Sequence, residues 1–469
     1  MGSEPSLLIV LLACSVHASN QLLIPPSSML PSPWPYGQLV LTWQSCKLTP
    51  PSTISEMVME INFRLLRTLI VILFFGTASS LVTAHNNVVV IPLSGDDLKP
   101  LKNMITVSPA NGDFADPVAA VNSINDATFE NPYVVVIGPG LYELSQTLQM
   151  KAYVDIVGSG INTTILQGAF SGTSTSDLAS TVVSGAPGAS ISDLAIVNNG
   201  GPQAVSIAIA KPGGNVSNVR LEARNGNALY GLYGNSVSPK LEDLTVKISN
   251  GSGNQYGIYL NSSRSQIIGP NISISGGQSL DYGIYLNAGE FLIDSADIRV
   301  QDGAQQRGIF LNTGELVLGD SQLLISDATI RQEAIYGNAA AKLQISNVNI
   351  MMDPRTGVPI SQYGIYSNTS VETSASNVSI DITDSSGSEY GVFLNTSSGA
   401  GSFSNMRIRA NTQGFRVSTI ASNDTYISNS IVTGAPTAVS GVKTYCNHVF
   451  IDTNADGVND GLLNSTCGN

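Results

Sequence analysis

The sequence predicts an all-β protein, a single-stranded right-handed parallel β-helix in which one chain coils as a solenoid. A segment of the form Tyr-Gly-Ile-Tyr-Leu-Asn recurs seven times along the chain, with small variations. The second residues of the copies are Gly231, Gly257, Gly283, Gly308, Ala334, Gly364 and Gly391, a period of about 26 residues. A period of this size indicates one supersecondary unit per turn. The apolar residues within each segment alternate with period two, which is typical of a strand.

The composition fits thin strands joined by short polar turns. Of the 469 residues, 42% are hydrophobic and 12% are charged, and 45 are glycine. Disordered chains have few apolar residues and many charges, so this composition does not indicate disorder. The net charge of −13 argues against nucleic acid as a partner, because phosphate binding requires clustered Lys and Arg side chains.

Residues 59–84 read as a secretory signal peptide. Arg64 and Arg67 form its basic start, residues 69–75 its apolar run, and 82–84 a small-residue cleavage pattern. The apolar run is too short for a stable membrane span. We therefore expect a secreted or cell-surface protein, in which residues 85–103 form a linker.

The 58 residues before this signal are interpreted as an over-extended reading frame. The alternative is a genuine N-terminal anchor and linker, because residues 7–14 are also apolar and a Pro- and Ser-rich stretch follows them.

Residues 104–170 are predicted to form the N-terminal cap and the first turns of the β-helix. A strand at 104–108 precedes a helix with Asp116 as N-cap and Pro117 at its first position. Val118, Val121 and Ile124 would share one apolar face of that helix. A β-helix exposes an apolar end and open strand edges, so we expect the helix to cover this end.

The stretches 131–142 and 150–160, Asn-Pro-Tyr-Val-Val-Val-Ile-Gly-Pro-Gly-Leu-Tyr and Met-Lys-Ala-Tyr-Val-Asp-Ile-Val-Gly-Ser-Gly, carry a resemblance. They resemble the N-terminal turns of pectin-lyase-like right-handed β-helix proteins. More closely, the chain is similar to exported bacterial β-helix proteins of unassigned function. The resemblance implies this fold over residues 87–469, with a Cys-closed end, and does not imply a chemistry.

A ladder of Asp and Asn residues recurs through the predicted rod, residues 171–440. Its members are Asp193, Asn218, Asp243, Asp294, Asp320, Asn347, Asn377, Asn405 and Asn429, with Pro270 interrupting the series. Asp and Asn tolerate left-handed turns and hydrogen bond to nearby backbone, so we interpret the ladder as corners of the rod. The aligned acids are therefore not taken as catalytic residues.

An aromatic stripe is the candidate ligand-binding site. Strand alternation predicts that Ile258 and Leu260 point inward and that Gly257 and Tyr259 point outward. The stripe comprises Tyr233, Tyr259, Tyr285, Phe310, Tyr336, Tyr366 and Phe393. One hypothesis is that the rings stabilise neighbouring strands or pack inside. The other is a platform for a glycan or a partner subunit, since contiguous exposed apolar surface marks interaction sites.

The C-terminal segment, residues 441–469, contains Cys446 and Cys467. An even pair of cysteines in an exported protein predicts a disulfide, which would close the far end of the rod.

An Asp- and Asn-rich stretch between these cysteines resembles the start of an EF-hand calcium loop. Its candidate ligands are Asp452, Asn454, Asp456 and Asp460. Leu463 occupies the twelfth position, where a bidentate acid belongs, so a polar glycine turn is the alternative. No cofactor is required by either interpretation.

Catalytic motifs are sparse. His85 and His448 lie outside the predicted rod, which excludes a Ser-His-Asp or zinc site along it. Residues 140–142 resemble the Gly-x-Tyr of pectinesterases, but Leu144 stands where those enzymes have Glu. Residues 203–207 resemble their Gln-Ala-Val stretch. The motifs that carry the pectinesterase acid/base, nucleophile and arginine are absent, as are the paired Asp and His-Gly motifs of polygalacturonases.

Two functions follow as hypotheses. The first is an exported non-catalytic β-helix protein that displays an extended surface to a polysaccharide, a cell-surface glycan or a partner. The alternative is a polysaccharide-active enzyme of pectinesterase or pectate-lyase type with a degenerate site. Assembly of the rod as a trimer is a further structural hypothesis.

Overall fold

Each turn of the chain contributes strands to three faces of a right-handed parallel β-solenoid of about 12 turns. The predicted all-β class, the parallel coiling and the period of about 26 residues are therefore confirmed. The computed structural model describes residues 103–201, 205–382, 387–395, 401–418, 424–433, 437–438, 444–452 and 461–463. All of these belong to the second of two units of the chain, residues 99–469.

One face, sheet S1, has 12 strands, each parallel to its neighbours and in chain order. Its strands are Leu148–Gln149, Thr181–Ser184, Val205–Ala210, Ala228–Asn235, Gln255–Asn261, Leu280–Leu286, Gln305–Leu311, Arg331–Ala339, Ser361–Thr369, Ser388–Leu394, Gln413–Val417 and Thr437–Ala438.

The other two faces, S2 and S3, are linked into one 24-stranded arrangement. S2 contains Met104–Val107, Tyr133–Ile137, Val154–Val157, Lys240–Glu242, Ser263–Ile268, Gly289–Asp294, Gly314–Gly319, Ala341–Ser346, Glu372–Ser376 and Gly401–Ser404. S3 contains Gly140–Glu143, Thr164–Gly168, Thr245–Ser249, Asn271–Ser275, Asp297–Gln301, Gln322–Ser326, Asn349–Asp353, Ser379–Ile382 and Arg407–Arg409.

Four long strands bend across the S2–S3 corner and serve both faces. They are Ile191–Asn198, Asn215–Arg224, Thr425–Thr433 and Thr444–Asp452. Strand Gly461–Leu463 pairs antiparallel with the last of them, and a short 3-10 helix spans Leu178–Ser180.

The predicted helix is present as Pro117–Ser123. The Asp116 side chain accepts hydrogen bonds from the backbone N–H groups of Val118 and Ala119, both at 3.1 Å, so the predicted N-cap forms. Val121 and Ile124 are buried together with Val118, as the pattern predicted. The covering role of this helix stays a prediction.

Columns of buried apolar side chains fill the interior. In S1, Ile258, Ile284 and Ile309 are fully buried and pair in register from turn to turn. Burying a side chain of this size contributes about 1.5–3 kcal/mol. Because every turn adds such a set, each turn is stabilised mainly by its two neighbours.

The corner between S2 and S3 holds the predicted Asp and Asn ladder. Nδ2 of Asn218 donates to Oδ1 of Asp193 at 2.7 Å, and both residues have positive φ. The prediction was wrong at Asp294, which is the last residue of its strand. Ser295 takes the left-handed position there, with φ of 56°, and Gly269 takes it one turn earlier, with φ of 64°.

A second amide ladder lies at the corner where the S1 strands end. Each Asn donates from Nδ2 to Oδ1 of the Asn one turn before, over 2.7–3.3 Å. Its members are Asn235, Asn261, Asn287, Asn312, Asn338, Asn368 and Asn395. These hydrogen bonds pair the side-chain amides of the ladder with one another. They link successive turns in addition to the backbone hydrogen bonds of the sheets.

The third corner, between S3 and S1, absorbs differences in the length of the turns. The long step between Ala334 and Gly364 is taken up by residues 354–360, which lie between Asn349–Asp353 and Ser361–Thr369. Both flanking strands keep their register with the preceding turn. Extra residues therefore extend the corner and leave the sheets unchanged.

A polar ladder also runs inside the solenoid, at the first buried position of the S1 strands. Its members, at most 1% exposed, are Gln255, Asp281, Gln306, Gln332, Gln362 and Glu389. The amides bond from turn to turn: Nε2 of Gln362 donates to Oε1 of Gln332 at 2.7 Å, and Nε2 of Gln332 to Oε1 of Gln306 at 3.2 Å. We call this set the inner polar ladder.

Asp281 is the inner polar ladder's unusual member. Its Oδ1 accepts a hydrogen bond from Nε2 of Gln255 at 3.0 Å, whereas its buried Oδ2 has no hydrogen-bond partner. Burial raises the pKa of Asp281 to about 7, against the lowering effects of Gln255 and the Gly277 backbone. A carboxyl in this setting is favoured in its neutral form, because no cation offsets the loss of water.

We predict that the stability of the protein falls as the pH rises from about 4 to about 7. The unfolded carboxyl titrates near 3.8 and the folded one near 7, so the folded state holds its proton longer. The contribution is fully present below the unfolded pKa and is lost as pH rises through the folded pKa, by roughly 4 kcal/mol. The Asp281→Asn variant should lack this loss when denaturation midpoints are compared at about pH 4.5 and about pH 8, which lie on either side of the folded pKa.

The matched control is Asp243→Asn, which removes the same charge at an exposed corner with positive φ. Wild type and Asp281→Asn showing the same pH dependence would contradict the prediction.

Candidate functional site

The outer surface of sheet S1 carries two parallel columns of aromatic and charged side chains, which we call the aromatic face. Column A consists of Tyr230, Tyr256, Tyr282, Arg307, Glu333, Tyr363 and Tyr390. Column B consists of Tyr233, Tyr259, Tyr285, Phe310, Tyr336, Tyr366 and Phe393. Column B is the predicted stripe, and Arg416 continues it by one turn.

The rings of the aromatic face lie outside the main core. Tyr233, Tyr256 and Tyr259 are partly buried and pack around Tyr230 in a cluster separate from the core of the solenoid. Most column B rings are half-buried, and Phe310, at 6% exposed, is the most covered. The face is thus a partly exposed aromatic surface about seven turns long.

The predicted orientation of the glycines was wrong. A Cβ at Gly257 would lie 2.8 Å from Cγ2 of the core residue Ile272 and 2.4 Å from the carbonyl oxygen of Gly283. Gly257 therefore faces inward, as does Ile258 beside it. The strict alternation of a strand is broken at this glycine, which places Tyr256 on the outside together with Tyr259. Column A was missed for this reason, although its tyrosines are present in the repeat.

Within each column the rings stack on one another. Tyr256 and Tyr282 have ring centroids 5.0 Å apart and planes within 2°, and Tyr259 and Tyr285 have values of 4.7 Å and 5°. The two columns meet edge to face, as Tyr256 and Tyr259 do at 5.5 Å. Offset stacks and edge contacts both suit the quadrupole of an aromatic ring and add about 0.5–1.5 kcal/mol per pair.

Stacking leaves few ring faces open. A ring inside a column has a neighbour on each side, so it presents its edge and its hydroxyl to solvent. Tyr233 differs because it pairs with Ala210 on its other side, where the column ends in a small side chain. At the opposite end, the guanidinium of Arg416 lies 5.7 Å from the Phe393 ring centroid.

A charged cluster interrupts the aromatic face at its centre. Glu333 is 1% exposed and lies between two arginines. Arg307 Nε donates to Glu333 Oε2, and a guanidinium nitrogen of Arg331 lies 2.5 Å from Oε1. Both guanidiniums also lie against rings, with Arg307 Cζ 4.7 Å from the Tyr336 centroid and Arg331 Cζ 4.7 Å from that of Tyr363. Two cations and one anion give this cluster a net charge of +1.

The phenols of the aromatic face hold their protons strongly. Burial, together with a smaller effect of the neighbouring phenols, raises the pKa of Tyr259 to about 12. Burial also raises the pKa of Tyr282 to about 12, although the Arg307 cation beside it acts in the opposite direction. Burial raises the pKa of Tyr230 as well. These hydroxyls are therefore neutral donors at ordinary pH.

A second candidate site is a charged groove on S2, of about 710 Å³. Four successive strands supply Arg264, Glu290, Glu315 and Lys342 to it, in register. Arg264 binds Glu290 through two hydrogen bonds of 2.9 and 2.8 Å, and Lys342 Nζ lies 2.8 Å from Glu315. The hydrogen bonds and charge of Arg264 lower the pKa of Glu290.

The predicted calcium ligands are only partly described. Asp452 is buried at the end of strand Thr444–Asp452, whereas Asn454, Asp456 and Asp460 lie outside the described residues. In the described part of the chain, no group of three or more His, Cys, Asp or Glu side chains could hold a metal ion. The calcium loop stays a prediction.

The predicted disulfide also stays a prediction. Cys446 is buried in strand Thr444–Asp452, and Cys467 lies outside the described residues. The predicted signal peptide, residues 59–84, and the segment before it lie outside them too. Among the helices that the structure describes, none has the length and hydropathy needed to cross a membrane.

Part of the chain matches a family of known proteins. Residues 103–313 match the family model described as "Rhamnogalacturonase A/epimerase, pectate lyase-like". No curated protein sequence matches the chain.

Three solved structures illustrate the structural similarity. A pectin methylesterase from carrot is 13% identical, with a TM-score of 0.34, over 58% of this chain and 84% of that one. A pectin methylesterase from Aspergillus niger is 12% identical, with a TM-score of 0.29, over 64% and 87%. The catalytic domain of a GH87 alpha-1,3-glucanase in complex with nigerose is 12% identical, with a TM-score of 0.36, over 79% and 71%.

We predict that Glu333→Gln destabilises the protein by about 3–5 kcal/mol, because it leaves two partly buried guanidiniums without their shared anion. The measurement is the shift in denaturation midpoint. Glu290→Gln is the matched control, since the exposed Arg264–Glu290 pair should contribute little. Equal shifts in the two variants would contradict the assignment of Glu333 as the anchor of the charged cluster.

The family match over residues 103–313 and the parallel β-solenoid built by hydrogen bonding of successive turns together support the predicted placement of the chain in the pectin-lyase-like β-helix superfamily.

Proposed function

We propose that this chain is an exported, non-catalytic β-helix protein whose aromatic face binds a polysaccharide or cell-surface glycan along the solenoid axis. The observation that carries the proposal is the aromatic face itself, two columns of mostly aromatic side chains that continue over seven turns, with most of the column B rings half-buried. Partly exposed aromatic surface of this extent is typical of interaction sites. Export rests on the leader at 59–84 and the pair Cys446 and Cys467.

The stacked rings define how a glycan would be held. Rings inside the columns offer edges and hydroxyl groups, so most contacts would be hydrogen bonds to sugar hydroxyls. In the described structure, the hydroxyls of Tyr233, Tyr259 and Tyr285 have no hydrogen-bond partner. They recur once per turn, about 4.8 Å apart, a spacing close to the length of one sugar in an extended chain.

The end of column B offers a different contact. The ring of Tyr233 pairs with Ala210, so its outer side has space that the other rings lack. The apolar face of one sugar ring could stack there, as apolar groups do on aromatic side chains. The arginines of the aromatic face favour glycans that carry some negative charge, although the protein as a whole has a net charge of −13.

The expected result with the double variant Tyr259→Ser/Tyr285→Ser is at least a tenfold loss of affinity, about 1.4 kcal/mol. Pectin, polygalacturonate and alginate form the ligand panel for binding calorimetry. Tyr259→Phe/Tyr285→Phe keeps the stacked rings and removes only the hydroxyls, so it should lose affinity as well if hydrogen bonds carry binding.

The control is Tyr426→Ser/Tyr445→Ser, which removes a stacked pair from the other sheet, with centroids 5.2 Å apart. Wild-type affinity in both column B variants would refute the proposal.

The alternative function, a polysaccharide-active enzyme, is supported by the charged groove. Glu290 and Glu315 are adjacent in register, so their strands are about 4.8 Å apart. Retaining glycosidases hold two carboxyl groups about 5–5.5 Å apart. Two observations argue against this function. Each carboxylate is paired with a cationic side chain, and the pKa of Glu290 is lowered, whereas a general acid needs a raised pKa.

We expect no product when the protein is incubated with the same polysaccharides, with and without calcium, and analysed by mass spectrometry for cleavage, demethylation or deacetylation. Product formation that Glu290→Gln/Glu315→Gln abolishes would establish the enzyme instead. Glu372→Gln is the matched control, because it removes an acid next to Lys342 in the same column.

A further inference from the structure

The tyrosines at the start of the aromatic face form a block with unusual geometry. Tyr230, Tyr256 and Tyr282 stack in column A, and Tyr233, Tyr259 and Tyr285 stack beside them in column B. Ring centroids within the columns are 4.7–5.1 Å apart, and the planes are within 20° of parallel. In-register pairing places the phenols of successive turns at equivalent positions of the sheet.

We propose that this block is a site of oxidative tyrosine coupling, in which column B phenols of adjacent turns become joined as dityrosine. The substrate groups are the phenols of Tyr233, Tyr259 and Tyr285. The oxidant is hydrogen peroxide acting through a haem peroxidase, a class of enzyme that removes single electrons from accessible phenols.

The reaction balances as follows. Each of two phenols gives up one electron and one proton and becomes a phenoxyl radical. The radicals couple through a carbon ortho to each oxygen, and the two ring hydrogens at those carbons move to the oxygens, which restores both phenols. The two protons and two electrons lost reduce one molecule of hydrogen peroxide to two molecules of water.

Position favours coupling within one molecule. The two rings that react are already stacked, with centroids 4.7–5.1 Å apart, so coupling is effectively a unimolecular step with a high effective concentration. The rings lie on the outer surface of S1, and backbone does not cover them, so they can tilt toward each other as the bond forms. Half-exposed rings are also within reach of a peroxidase-generated radical.

Hydrogen bonding favours column B over column A. Tyr282 accepts a hydrogen bond from Arg307 at 3.0 Å, and Tyr256 accepts one from Asn254 at 3.1 Å. A cation next to a phenol disfavours removal of an electron from it. The hydroxyls of Tyr259 and Tyr285 have no such donor in the described structure, so they can release a proton to water.

The consequence of coupling is a covalent staple between adjacent turns. A bond between Tyr259 and Tyr285 would join strands Gln255–Asn261 and Leu280–Leu286, which otherwise are held by hydrogen bonds and packing. A link that closes a loop of one turn restricts the unfolded chain, as a disulfide does. The site would thus strengthen an exported rod in an oxidising environment.

The experiment treats the full chain with horseradish-type peroxidase and hydrogen peroxide, isolates the monomer, and maps its tryptic peptides by mass spectrometry. Cleavage at Arg264 separates peptide 248–264, which contains Tyr259, from peptide 265–299, which contains Tyr285. The expected product is the monomer lighter by two hydrogen atoms per link, with 248–264 joined to 265–299 or to 225–240.

Tyr233→Phe/Tyr259→Phe/Tyr285→Phe keeps the stacked rings but removes the phenols, and should reduce the yield of these linked peptides at least tenfold. Tyr426→Phe/Tyr445→Phe, which alters the stacked pair on the other sheet, should leave the yield unchanged. Links only between different molecules, an unlinked monomer, or full yield in the triple variant would each overturn the proposal.

Discussion

The structure depends on one constraint, the parallel in-register pairing of each turn with the next. Neighbouring strands are about 4.8 Å apart, so a side chain meets its own counterpart in the turns before and after. Residues that attract copies of themselves suit such a stack. Asn287 bonds both Asn261 and Asn312, Ile284 packs on its equivalents, and Tyr259 stacks on Tyr285. Repeated like charges would repel, which accounts for the small share of charged residues, 12%.

The same constraint shapes the candidate sites. On the aromatic face Glu333 is shared between Arg307 and Arg331. In the groove each carboxylate has a cationic partner, since Glu290 pairs with Arg264 and Glu315 with Lys342. Stacking also covers the faces of the aromatic rings. The surface that the sequence predicts as a flat aromatic platform therefore presents mostly ring edges and hydroxyl groups. A glycan bound here as proposed would therefore depend on polar contacts more than a glycan bound to a row of separate rings would.

Much of the fold could be predicted from the sequence, because equivalent residues of successive repeats pair with one another in the sheet. The strand predicted at 104–108 is present as Met104–Val107, and the Asp116 cap forms at its predicted position. The glycine of the repeat was misassigned, since alternation assumes a regular strand and the crowding around Gly257 is a tertiary effect. The inner polar ladder was also missed. Gln255 looks like a surface residue in sequence, and only its hydrogen bonds to neighbouring turns permit burial.

The corner at residues 354–360 shows how such a fold can change over time. Four to five additional residues are accommodated there relative to the shortest turns, yet strands Asn349–Asp353 and Ser361–Thr369 remain paired as elsewhere. The sheets and the corner loops thus respond independently to an insertion. The strands keep their register and spacing, whereas the corner can vary in length and composition. A lineage with this architecture can acquire a new recognition loop by local insertion, without redesigning its scaffold, and a protein engineer can graft a foreign epitope at the same place.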